Sequence, residues 1–415
     1  MSTILLIGSY NGQNSLGDEC LLKCAMDQYR RAARGRSIDF VLHAHKMTPL
    51  LTQLQSAGGF TANEGIQQAY WRLITQLRHS HLPVDVREVL AAFTLPTYLL
   101  GSAAFDYIDS RKLLQQIASA DLLHIFGGTN FTFQWNALNM PFFAATSAMM
   151  KLRGKPTYLG PQQYGPMTDG QLMAFKAWLS TCVSDWRTRN PKCLELLDGD
   201  ADVHLISDEV YSNRGLYPIE PERPANGGYV LLNLRGGSMS DESTFDSDEL
   251  DNIADALARI YAQTDKPYRF FAVSTAELTE DQRSYDALAQ RLAGRAPIEN
   301  IGRVATEHEL MALASNAYGC ISMSFHGCIL SGFRGIPALP ITAGVYYDHK
   351  YIGFDQYGDG QPIPILSLAR PTSDDEISAV VGYLKTYDAR AAARKRERAA
   401  ELIEAYYQTI VVREL

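Results

Sequence analysis

The sequence predicts an α/β fold of two doubly wound, Rossmann-like parallel sheets facing across a cleft. Three observations predict it. Short apolar runs alternate with helical patterns along most of the chain, as in βαβ units whose central strands are buried on both faces. The alternation stops at 215–228 (GLYPIEPERPANGG), where prolines and glycines replace apolar periodicity, and restarts beyond it. The length, 415 residues, suffices for two ordinary domains. The predicted organisation is a first domain over 1–214, a linker over 215–228, a second domain over 229–373, and C-terminal helices over 374–415, with packing back on the first domain one arrangement for them.

The elements follow in order. Residues 3–8 (TILLIG) form a short apolar strand stopped by Gly8, followed by a Gly/Asn/Ser-rich loop and a helical stretch from Leu16 to Arg34. A second strand reads over 38–42, and helical patterns over 62–78 and 110–119. Strand 121–126, helix 138–152, strand 156–160 and helix 169–180 continue the alternation; an acidic turn at 198–202 and the apolar run 203–206 close this half. After the linker come strand 229–234 and a helix over 247–263, introduced by Asp246 with Glu249 three residues on, a capping-box pattern. Strand 268–274, helices 278–293 and 306–314, strand 317–322, helix 327–334 and strand 336–341 complete the second half, and 374–408 reads as two helices.

Composition narrows the function. With 38 basic and 46 acidic residues the net charge is −8, which disfavours general nucleic-acid binding, where clustered cations release counterions. No apolar run approaches the roughly 20 residues of a membrane-spanning helix, and the amino terminus lacks the basic region of a secretory signal. The six cysteines show no CxxC pair and read as reduced, partly buried thiols, so a cytoplasmic location is expected. Asp198, Asp200, Asp202 and Glu209 match EF-hand spacing, but Val203 stands where that loop needs glycine. His43 and His45 form a pair with no third ligand in view, and no metal site is expected. The Ser/Asp-rich run 238–247 reads as a loop.

Several strand ends carry chemistry-bearing residues. The loop Gly8–Glu19, with Asn14, Asp18 and Glu19, matches neither a dinucleotide fingerprint nor a P-loop; a tight turn with Asn14 or Ser15 as helix cap accounts for it equally. Phe126-Gly127-Gly128-Thr129-Asn130 and Gly160 to Pro166, which includes Gln163, read as two further loops at the same sheet edge. Each alone is an ordinary turn; together they suggest a ligand surface. Arg235 ends an otherwise apolar strand, where a guanidinium needs an anion, either a ligand or a neighbouring carboxylate. Ser324-Phe325-His326-Gly327 joins a strand to a helix, placing an imidazole beside helix N-terminal donors. A capping or otherwise structural role explains such a histidine as well.

In this order, these segments resemble the polysaccharide pyruvyltransferase family. The matching elements are Gly8 to Glu19, Gly127-Gly128, Gly160 through Pro166, Arg189-Asn190-Pro-Lys-Cys193, Ser324-Phe325-His326 with the turn Gly335-Ile336-Pro337, and Tyr347-Asp348-His349-Lys350. The likeness spans about residues 4 to 354. Three positions depart from it: Ser324 stands where many members have arginine, Asn190 where they have aspartate, and Thr129 where they have a third glycine.

The resemblance implies a fold similar to GT-B glycosyltransferases, with phosphoenolpyruvate as donor and a glycan or lipid-linked sugar as acceptor. It also implies that Arg235 and His326 handle the donor. The chemistry needs a proton shuttle, an anion clamp and exclusion of water, with no cofactor or metal. The expected catalytic residues are His326 as general acid/base, Arg235 as clamp, and Asp18 as a possible base. The expected binding residues are Asn14, Glu19, Gly127, Gly128, Asn130, Gln163, Arg189, Ser324, Phe325, Gly327 and Lys350. The basic stretch Arg390–Arg398 suits either a solvated helix face or a peripheral contact with the inner membrane face. Two other readings stay open: a nucleotide-sugar glycosyltransferase, with Asp348 as a modest ribose candidate, and a non-catalytic carbohydrate-binding relative. The sequence does not define the oligomeric state.

Overall fold

The predicted apolar runs become the buried strands of two parallel sheets. The computed structural model describes residues 2–8, 16–44, 47–64, 108–132, 136–212, 214–215, 217–224, 227–235, 245–273 and 279–415. The chain divides into two compact units. One comprises Met1–Asn14, Leu21–Ser212 and Glu401–Leu415; the other comprises Ser15–Cys20 and Asn213–Ala400.

The sheet of the first unit contains β1 (Ser2–Gly8), β2 (Ile38–Ala44), β3 (Phe60–Glu64), β4 (Leu122–Phe126), β5 (Gly128–Phe131), β6 (Thr157–Tyr164) and β7 (Asp185–Thr188). Its order is β3-β2-β1-β4-β6-β5, with β7 also on β6, and every pairing is parallel. Among the described residues the helices up to Ser212 are α1 (Leu16–Ala32), α2 (Pro49–Ser56), α3 (Ile108–Ser119), α4 (Asn136–Leu152), α5 (Asp169–Cys182), α6 (Pro191–Leu197) and α7 (Ala201–His204). Ile4 to Ile7 of β1 are wholly excluded from solvent, which is why that strand carries an unbroken apolar run. Phe131, Phe143, Tyr164, Phe175 and Trp178 pack into an aromatic cluster within the core.

The second sheet contains β8 (Tyr229–Asn233), β9 (Tyr268–Ala272), β10 (Ile298–Arg303), β11 (Ala317–Ser322), β12 (Ala338–Thr342) and β13 (Leu366–Ser367), in the order β10-β9-β8-β11-β12-β13, again all parallel. Its helices are α8 (Ser247–Thr264), α9 (Thr279–Leu292), α10 (Glu307–Ala314), α11 (Phe325–Gly332), α12 (Gly344–Tyr351) and α13 (Asp374–Thr386), followed by α14 (Ala389–Glu414), whose last residues from Glu401 belong to the first unit. The predicted capping box is present: Asp246 accepts from the Glu249 N–H, and Glu249 accepts from the Asp246 N–H.

Several expectations are corrected. The helical pattern expected to begin at 62 starts on a strand, because Phe60–Glu64 pairs in register with Phe40–Ala44; residues 65–78 lie outside the described residues, as do His45 and the 238–244 part of the Ser/Asp-rich run. The presumed loop at 128–131 is the strand β5, and 160–164 continues β6, since both find parallel partners. The apolar run 203–206 opens in the short helix α7, capped by Asp200, whose side chain accepts from the Asp202 N–H. Helix α11 starts two residues earlier than its apolar pattern, because Ser324 caps it. The stretch 215–228 is more than a connector: Tyr217 is fully buried against Phe333, and its hydroxyl donates to Glu307. Strands β7, β10 and β13 and helices α2, α6 and α12 escaped the sequence reading.

Candidate active site

Within the second unit, β8 is the switch point of the sheet. The chain passes through α8 to β9 on one side and returns to β11 on the other, and open α/β sheets receive ligands at the carboxyl ends of such strands. The register pairs Asn233 with Ser322, so β8 and β11 end level. Arg235 stands two residues beyond Asn233, half-buried, and Ser324 two residues beyond Ser322. Asn233, fully buried, ties three strand ends together: its Nδ2 donates to the Phe271 carbonyl at 2.9 Å, its Oδ1 accepts from the Ser322 hydroxyl at 3.3 Å, and its carbonyl accepts from the Met323 N–H at 3.1 Å. The sequence reading did not single out Asn233; a lone amide at the end of an apolar strand was its available signal.

His326 sits in the first turn of α11. The Ser324 hydroxyl accepts from the Gly327 N–H at 3.1 Å, and the Ser324 N–H donates to the Ser322 hydroxyl at 2.9 Å, so the entry to the helix is held from both sides. Phe325 is buried among Tyr351, Phe354 and Tyr357 and meets the His326 ring edge-on at 5.7 Å between centroids. The Lys350 ammonium lies 5.9, 5.4 and 5.6 Å from the ring centroids of Phe325, Tyr346 and Tyr347, where ring quadrupoles favour a cation. Burial pushes the Tyr347 hydroxyl well above its ordinary range, and the Arg235 guanidinium pulls it partly back, which places Arg235 in the same charged neighbourhood. Lys350 and His326 thus share Phe325 as a neighbour, while Arg235 and Asp281 both act electrostatically on Tyr347, which Lys350 also faces.

The first turn of α1 belongs to this unit. Asp18 and Glu19 are half-buried there, where carboxylates suit the positive end of the helix. Gly17 abuts His326 directly: a Cβ built on Gly17 would lie 2.0 Å from the imidazole Nδ1. The sequence reading included this glycine in its loop but gave it no role.

The other expected residues belong to the first unit. The Gly127 N–H donates to the buried Glu209 carboxylate at 3.1 Å, and a Cβ on Gly127 would lie 2.9 Å from the same group. Gly160 makes room for it too, since a Cβ there would be 2.5 Å from Glu209 Oε1. Gly128 has a φ of +102°, which favours glycine. Asn130, buried, donates to the Gly127 carbonyl and to Gln162 Oε1, and Gln163, also buried, donates to the Gly165 carbonyl. Arg189, expected among the anion contacts, is buried in an ion pair with Asp208. Asn14 lies outside the described residues. Among the described residues no cluster of three or more His, Cys, Asp or Glu is arranged to hold a metal ion, and no helix is long and apolar enough to cross a membrane.

The sequence profile of the polysaccharide pyruvyl transferase family matches residues 64–343, well over half the chain. The chain belongs to the polysaccharide pyruvyl transferase family. It is accordingly a transferase of polysaccharide pyruvylation. No curated protein matches it in sequence. Among solved structures it is similar to Anabaena HepE in complex with UDP and glucose (12% identity, TM-score 0.56, covering 100% of this chain and 99% of that one). It is also similar to a putative UDP-N-acetylglucosamine 2-epimerase from Listeria monocytogenes (9%, 0.55, 99% and 95%). A third similar structure is the Neisseria meningitidis UDP-GlcNAc 2-epimerase bound to UDP-GlcNAc (10%, 0.52, 99% and 100%). At such identities the likeness concerns the fold, which is GT-B-like: two α/β domains built on parallel sheets.

Proposed function

We propose that this family member transfers pyruvate from phosphoenolpyruvate onto two hydroxyls of one sugar, in a polysaccharide, oligosaccharide or lipid-linked precursor, forming a ketal and releasing phosphate. One observation carries the reading: Arg235 and His326 follow the adjacent, level ends of β8 and β11 at the switch point, with Lys350 in the same aromatic neighbourhood. Two cations and an imidazole suit a small donor bearing both a phosphate and a carboxylate.

In this reading His326 delivers a proton to the methylene carbon of the enol, and the adjacent carbon becomes electron-poor. One sugar hydroxyl adds to that carbon and gives up its proton, with Asp18 as candidate acceptor. The carbon–oxygen bond to phosphate breaks and phosphate leaves with that electron pair, taking the proton held by Asp18; the second hydroxyl then adds to the same carbon and closes the ketal, its proton returning to the His326 imidazole. Arg235 and Lys350 hold the donor's anionic groups throughout. The N–H groups opening α11 add donors at the same edge. The steps as written call on no metal or cofactor, and Glu19, Phe325 and Gly327 serve as contacts. A lipid-linked acceptor would bring the enzyme to the cytoplasmic face of the inner membrane.

Incubation of candidate glycans with phosphoenolpyruvate, followed by mass spectrometry for added pyruvate, tests the reaction. His326→Ala and Arg235→Ala are each expected to abolish transfer with nearly unchanged thermal unfolding; near-normal turnover in either variant removes that residue from its role. The UDP-bound proteins of similar fold give a nucleotide-sugar transferase as the second reading. A melting shift with a nucleotide sugar but none with phosphoenolpyruvate would favour it.

A further inference from the structure

We propose that Gly17 is a positioning residue for His326, its missing side chain being the space that the imidazole occupies. The inference rests on the reading above for its link to turnover, but the contact itself does not. A Cβ on Gly17 would lie 2.0 Å from Nδ1, 2.7 Å from Cγ and 2.9 Å from Cε1 of His326. Real Cβ atoms do not approach heavy atoms so closely, so either the ring or the helical turn must move. The backbone that carries the half-buried ring is fixed, so the ring can yield only by turning about its own side-chain bonds and away from its present orientation. Its neighbour Phe325 is buried among three aromatic rings, and the turn that carries both is capped by Ser324.

The glycine is not explained by backbone conformation. It lies inside a helix, and its φ falls outside the left-handed region that favours glycine. At the second residue of α1 nothing in the helix itself calls for glycine, while the contact with His326 does. The first turn of α1 thus acts as a wall against one edge of the imidazole. A displacement of about 1 Å at a reacting group costs turnover on the order of 100-fold.

The test is a double-mutant cycle with Gly17→Ala and His326→Ala, read by thermal unfolding, by transfer from phosphoenolpyruvate, and by the His326 ring proton resonances, which are assigned by their loss in His326→Ala. Gly17→Ala alone is expected to lower Tm, shift those resonances and reduce kcat about 100-fold. In the His326→Ala background the same substitution is expected to leave Tm unchanged or raise it, because the ring is gone and alanine favours the helix. That background also recovers a folded protein if Gly17→Ala alone unfolds. Equal Tm changes in both backgrounds, unshifted ring resonances, or normal turnover by Gly17→Ala would overturn the proposal. If the wild-type protein transfers nothing from phosphoenolpyruvate, the donor reading fails, while the Tm cycle and the resonances still decide the positioning.

Discussion

Ser324 separates helix capping from substrate binding, and substitution there gives different signatures for the two. Its hydroxyl accepts from the Gly327 N–H at 3.1 Å. Ser324→Ala removes that acceptor and leaves a donor of the first turn of α11 unsatisfied, at a cost of about 1 kcal/mol. For a unit of this size that corresponds to a fall in Tm of about 2–4 °C. The Ser324 N–H keeps its bond to Ser322, and Phe325 keeps its packing, so His326 is displaced only slightly and kcat is expected to fall no more than about tenfold. Ser324→Asp reverses the balance. It restores a capping acceptor, and with it Tm, but sets a negative charge beside the donor. At about 6 Å and an effective dielectric of about 20, that repulsion is about 3 kcal/mol, or roughly a 100-fold rise in KM for phosphoenolpyruvate. Differential scanning fluorimetry and steady-state phosphate release measure the two effects separately. An unchanged Tm with a large loss of kcat/KM in Ser324→Ala would refute the capping argument and make Ser324 a substrate contact.

Two predictions concern stability. Arg189→Ala strands the Asp208 carboxylate in a buried site, so urea unfolding should show a loss of about 3–5 kcal/mol; a loss below about 1 kcal/mol would mean that water reaches the pair. Burial pushes the Cys193 thiol up to about 11 and the Cys328 thiol also upward. Both should resist iodoacetamide at pH 8 in the native protein and react on unfolding. The sign for stability follows from the raised values. The contribution is whole below the unfolded thiol pKa of about 8.5 and is lost as pH rises toward 11. Rapid native alkylation of either thiol would contradict this.

The fold was largely legible because its central strands are buried on both faces. β1, β8 and β11 are continuous apolar runs bounded by polar turns, so period and length agree. The elements that escaped are the edge strands and short helices. β10 has no fully buried residue, and β13 is two residues long, so neither carries an apolar pattern; their strand character comes from a partner. β5 and the far half of β6 were hidden differently. Their glycines, asparagine and glutamines read as loop composition, but buried parallel pairing overrode that local preference.

The site divides along the same line. The placement of Ser324, Phe325, His326 and Arg235 just beyond strand ends was readable, because a strand that stops at a polar turn announces a carboxyl end. The glycines were recognised as sites of close approach, but sequence does not say what approaches them. At Gly160 the approaching group is the buried Glu209 carboxylate, and at Gly127 it is that carboxylate together with the still nearer Leu21 side chain; Glu209 also accepts from the Tyr407 hydroxyl at 2.5 Å, and the ring of His124 lies beside it, with Nε2 3.4 Å away. Glu209 and Tyr407 stand 198 positions apart in the chain, a pairing that no local pattern encodes. At Gly17 the approaching group is the imidazole. One physical requirement, room for a neighbour where a Cβ would stand, thus yields a core contact at two glycines and, at the third, a contact with the residue proposed for proton transfer. The titratable group filling the space distinguishes them: a carboxylate sealed into a hydrogen-bonded core can only hold the fold, whereas a ring at the switch point of a parallel sheet stands where ligands bind.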